Sequence, residues 1–124
     1  MSYMTYKLIH LFGLFALFVA LAGMAVHAAA GHEKSEHTSY KGLLILHGIG
    51  ALVALTGGFG LLARVGADGG YLLPGWVWAK LTLWLLVGGL IAVPYRNRGL
   101  AKVLIFVLPF LALLGTFLGD FKPF

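Results

Sequence analysis

The sequence predicts an all-α integral membrane protein, a four-helix transmembrane bundle forming one domain over residues 1–124. Three observations predict it. Of 124 residues, 60% are hydrophobic and only 10% charged, against about 25% charged in soluble domains. Mean hydropathy is +0.95. Four apolar stretches, at about 8–30, 42–64, 73–94 and 99–119, each reach the roughly 20 residues a helix needs to cross a bilayer. Between them lie short polar or turn-forming segments, which leave no room for a soluble domain.

The elements follow in order. Helix one is predicted over 8–30. It imitates a signal peptide, with Lys7 before an apolar core and Ala28-Ala29-Ala30 resembling a small-residue cleavage site. Its apolar stretch is longer than a usual signal core, so it is read as a retained span. Residues 31–41 form the most polar segment and are expected to be a solvent loop. Helix two follows from about Gly42, and Ala67-Asp68-Gly69-Gly70 gives a turn signal after it. Pro74 suits the first turn of helix three, where a missing N–H costs nothing. Helix three closes near Val93-Pro94. Helix four starts near Gly99 or Leu100 and contains Pro109, which removes a backbone bond and is expected to kink it.

Charge and composition exclude some function classes. The net charge of +5 rests mostly on residues at helix ends, with no basic helix face and no nucleic-acid motif, so no nucleic-acid partner is expected. No cysteine is present, which excludes disulfides and thiolate-held zinc or iron–sulfur clusters. Lysine and arginine in short loops set orientation. Lys34, Lys41, Arg96, Arg98 and Lys102 fall with the first and third loops; Lys7, Arg64 and Lys122 fall with the termini and the second loop. This bias predicts both termini on the outer side.

Lys80 is the most informative residue. It lies in the apolar run 75–87, where an ammonium costs about 2.5–3.5 kcal/mol at mid-membrane. One reading is snorkelling of its four-carbon stem to the headgroups. The other is a partnered, functional lysine. Trp76, Lys80 and Trp84 are four apart and share a helix face, an arrangement suited to an anion beside a conjugated ring. Trp76 and Trp78 also fit an interfacial aromatic belt.

The histidines form two groups by depth. His27 and His47 fall near the first-loop face on adjacent helices. Two imidazoles so placed are one way a membrane bundle ligates haem b, so both are candidate iron ligands. His10, near the opposite face, shares its leaflet with Lys80. Gly50, Ala54 and Gly58, beside Gly57 and Gly60, form a small-residue stripe that allows close helix packing or room for a flat ligand. His32-Glu33-Lys34-Ser35-Glu36-His37 matches no recognised metal site. No chain of ionisable residues crosses the core.

Three local features resemble the HemJ-type membrane protoporphyrinogen IX oxidases: Lys7-Leu8-Ile9-His10 opening helix one, Gly75-Trp76 with Ala79-Lys80-Leu81 in helix three, and Pro109 followed by the terminal Lys122-Pro123-Phe124. Copper-resistance (CopD-like) and SirB-type membrane proteins are similar in general layout. The resemblance covers about a third of the chain. It implies an oxidoreductase of the bacterial cytoplasmic membrane that binds haem b and oxidises a tetrapyrrole. By the resemblance His10 would be the haem-ligating or active-site histidine and Lys80 the essential lysine. The sequence departs from the family in lacking an arginine at Ala28-Ala29-Ala30-Gly31, in its shorter chain and in its Gly-rich middle. The alternatives are a non-catalytic accessory subunit of a larger electron-transfer or energy-converting membrane complex, with other subunits or a homo-oligomer as partners, and an oligomeric transporter.

Overall fold

The computed structural model describes residues 2–33, 39–65 and 75–121. Four α-helices build it: α1 (Tyr3–Ala29), α2 (Tyr40–Val65), α3 (Gly75–Gly89) and α4 (Arg98–Phe121). No strand occurs among the described residues. All four helical segments are long and apolar enough to cross a membrane. The fold is therefore the expected all-α four-helix bundle. The proposed turn at 67–70, Pro74 and the terminal Lys122-Pro123-Phe124 lie outside the described residues.

The helix ends differ from expectation for local reasons. α1 starts five residues earlier than its apolar core, because Ser2 caps it: the Ser2 side chain accepts from the Thr5 N–H at 3.2 Å. It ends at Ala29 with Ala30 as its C-cap, and the next residue, Gly31, takes a φ of +90° that suits a residue without Cβ. α3 stops short of 94. Pro94 has no N–H to donate and its ring clashes with the carbonyl four residues back, so the chain tightens into a 3₁₀ turn over Leu90–Ala92. Asn97 then caps α4, its side chain accepting from the Leu100 N–H at 3.1 Å. α4 continues as α-helix through Pro109, which lies on its exposed side.

α1 is the central helix. It packs most extensively on α2 and next on α4, while α3 packs chiefly on α4 and touches α2 sparsely. The core joins Leu17, Leu21 and Ala25 of α1 to Val87 of α3 and to Leu104 and Leu108 of α4. The α1–α2 seam is the small-residue stripe. A methyl on Gly50 would lie 2.8 Å from the Gly13 carbonyl, and one on Gly57 2.6 Å from the His10 amide nitrogen. A methyl on Gly13 would strike the Ala54 backbone, and one on Gly60 the Tyr6 ring. Lipid supplies no hydrophobic drive between helices, so close backbone approach of this kind provides the attraction. The stripe is thus filled by α1 and leaves no slot for a flat ligand there.

Outward-facing threonines are self-satisfied. Thr56, Thr82 and Thr116 donate to the carbonyls of Leu52, Trp78 and Ala112 at 2.9, 3.0 and 3.0 Å. That removes the penalty of a bare hydroxyl in hydrocarbon.

Candidate functional site

His10 is placed by the seam. Gly57 admits its backbone, and a methyl on Gly58 would come within 3.3 Å of its ring. The ring thereby reaches across to α2, and Nδ1 lies 2.7 Å from the Ala54 carbonyl oxygen. A carbonyl only accepts, so Nδ1 carries the proton and donates. The neutral ring then presents its lone pair at Nε2. Metal-ligating histidines are commonly held this way, the far N–H donating to a backbone carbonyl.

Lys80 lies within electrostatic reach of His10, in the leaflet they were expected to share. Its ammonium lies over α4 beside Gly119: a methyl there would sit 3.0 Å from Nζ. Two helices therefore converge a nitrogen lone pair and a cation near the terminus end of the bundle. Trp84 turns the other way. Its indole N–H donates to the Ala51 carbonyl of α2 at 2.9 Å, which ties α3 to α2. Trp76 is half-buried on the same helix, and Trp78 is exposed.

His27 and His47 take different surroundings. His47 is buried, at 5% exposure, and its Nε2 makes no hydrogen bond among the described residues. Its ring engages the Val87 backbone of α3. His27 instead joins the loops: Nδ1 lies 2.8 Å from the Tyr95 hydroxyl, and its ring stacks on His32 at 4.9 Å. The contacts thus direct one ring toward α3 and the other toward the chain between α3 and α4.

The first-loop end carries a polar network that the sequence did not single out. Arg98 donates to the Ala28 and His32 carbonyls at 2.9 and 2.6 Å and pairs with Glu33 at 3.0 Å. It therefore closes the end of α1, where carbonyls lack helical partners. The pair with Glu33 is largely solvent-exposed and adds little. Tyr95 meets Tyr40 edge-on at 6.0 Å. Burial pushes the Tyr95 phenol above its ordinary value near 10.0, Tyr40 adds to this and Arg98 opposes it. Arg98 and Tyr95 read in sequence as loop-end residues of a kind common at helix termini. No spacing rule links position 98 to position 28. His32 and Glu33 belong to this network, while residues 34–38 of the loop lie outside the described residues. No group of three or more potential metal-ligating side chains occurs among the described residues.

Compared with known proteins, the chain matches no family model, no curated protein and no solved structure.

Proposed function

We propose that this chain is a small membrane protein that binds haem b or a related tetrapyrrole at the terminus end of the bundle, with a HemJ-like oxidoreductase role. The observation that supports it most is His10, whose Nδ1 is anchored at 2.7 Å by the Ala54 carbonyl. Nε2 would then be the nitrogen that holds the iron. Lys80 supplies the cation for a propionate. Its charge acts on His10, so the cation and the imidazole belong to one site. A bound haem would contribute a one-electron redox centre. The protein's own part is to fix the imidazole, pair the propionate and keep the site apolar. On the same reading the chain lies in a bacterial cytoplasmic membrane, with both termini on the outer side.

The test is an optical spectrum of the protein in mild detergent, oxidised and then dithionite-reduced. A Soret band with sharp reduced α and β bands is expected, and it should disappear in His10→Ala. A folded, colourless preparation that takes up no added haemin would falsify the reading. If His47→Ala rather than His10→Ala removes the band, the ligand is the buried imidazole of α2.

A second reading, an accessory subunit or homo-oligomer, has its own support in α3. Only 11% of its apolar window is buried within the bundle, and Leu85, Leu86 and Trp78 face outward.

A further inference from the structure

At the first-loop end, opposite the His10 and Lys80 site, a cavity of about 240 Å³ opens between α2 and the chain that follows α3. It has room for roughly eight waters at about 30 Å³ each. Its lining divides by chemistry. Leu44, Ile91 and Ala92 form an apolar wall, while Tyr40, Tyr95 and Arg96 supply two phenols and a guanidinium. Among the described residues, no carboxylate lines it. Glu33 pairs with Arg98 at 3.0 Å, and Arg96 makes no ion pair with a carboxylate of the described residues.

The surroundings are predominantly basic, with Glu33, paired to Arg98, the one described acid at this end. Lys41, Arg96, Arg98 and Lys102 gather at this end of the bundle. Next to the cavity, α2 and α3 are sparsely packed. Methyls at Gly48, Gly88 or Gly89 would meet nothing within 4 Å. Basic pockets between membrane helices on the cytoplasmic side are suited to anionic lipid headgroups, which concentrate in that leaflet. The loop-charge bias turns this end toward that side.

We propose that this cavity is a headgroup site for an anionic phospholipid, with its phosphate between the Arg96 guanidinium and the Tyr95 hydroxyl and its acyl chains along Leu44 and Ile91. His27 positions the phenol. His27 Nδ1 lies 2.8 Å from the Tyr95 oxygen; in the tautomer that carries the hydrogen on Nδ1, the phenolic hydrogen is left for the phosphate. Burial keeps that phenol protonated at neutral pH, so it faces the phosphate as a donor rather than as a second anion.

Native mass spectrometry of the full chain, released from micelles doped with phosphatidylglycerol or phosphatidylcholine, tests the assignment. Phosphatidylglycerol is expected to be retained preferentially. Arg96→Gln should lower that retention roughly fivefold, the factor corresponding to one interfacial cation. Lys102→Gln, which removes a charge from the same end outside the cavity, should not. Tyr95→Phe should lower retention without changing helix content by circular dichroism. Equal retention of the two lipids, or equal loss in Arg96→Gln and Lys102→Gln, would overturn the proposal in favour of diffuse surface charge. Inorganic phosphate is the second probe. If phosphate alone displaces the lipid at low millimolar concentration, the site is one for a free anion and the lipid assignment fails. None of these variants touches His10 or Lys80, so the Soret band reports separately on the haem reading.

Discussion

At the scale of single residues, the chemistry of the terminus end depends on what a side chain lacks as much as on what it carries. The Lys80 ammonium lies close over Gly119 of α4, where an added methyl would sit 3.0 Å from Nζ. Gly119→Val fills that space and forces Nζ to move. The expected outcome is weaker haemin uptake with unchanged helix content, measured by titration against circular dichroism. Unchanged uptake would show that the position of Nζ is irrelevant to the site. The sequence made Lys80 conspicuous, since a charge in a run of apolar residues is visible without a structure. It gave no sign of Gly119, thirty-nine positions away, because one glycine among many carries no mark of what lies above it. His10 was legible as a candidate, but its tautomer was not. Only the Ala54 carbonyl facing Nδ1 decides which nitrogen holds the proton.

At the scale of elements, the α1–α2 seam shows how alike glycines differ in consequence. A methyl on Gly57 meets the His10 backbone at 2.6 Å, and one on Gly48 meets nothing within 4 Å. Gly57→Ala should therefore cost about 1–3 kcal/mol through overpacking and lower the melting temperature in detergent. Gly48→Ala should be neutral or stabilise slightly, because alanine restricts the unfolded helix backbone. Equal melting temperatures for the two would remove the seam as the source of cohesion. The stripe itself was legible from the four-residue spacing of Gly50, Ala54 and Gly58. What the spacing left open was whether another helix or a ligand filled it, and α1 fills it. The ends of α3 and α4 were less legible. The apolar run continues to Val93, so hydropathy extends the helix there, whereas the Pro94 ring constrains the backbone and tightens the last turn.

At the scale of the whole molecule, the packing is uneven. α1 is buried along one face from Gly13 to Ala28, while α3 contributes only Val77 and Val87 to the buried set. On the accessory-subunit reading proposed above, this exposed helix would be the contact for a second copy or another subunit. The expected outcome is a protein–detergent particle whose protein mass, by light scattering with detergent subtraction, exceeds the 13.3 kDa of one chain. Trp78→Arg, on the outward face of α3, should reduce that mass. A monomer in several mild detergents would assign the exposed face of α3 to lipid alone.

The sequence by itself determined the four helices long and apolar enough to span and the all-α class, because hydrophobic length and chain direction are one-dimensional quantities. It also put Lys80 and His10 at the same end of the bundle. The tertiary structure decided which rings turn where: His27 to Tyr95, His47 to α3, Trp84 to the Ala51 carbonyl. It also decided that Arg98 closes α1 from seventy residues away. The physical reason is that a helix's rotation about its own axis is fixed by its neighbours. Where all faces are apolar enough for lipid, as in α1, α2 and α3, no polar stripe in the sequence marks the side that turns inward.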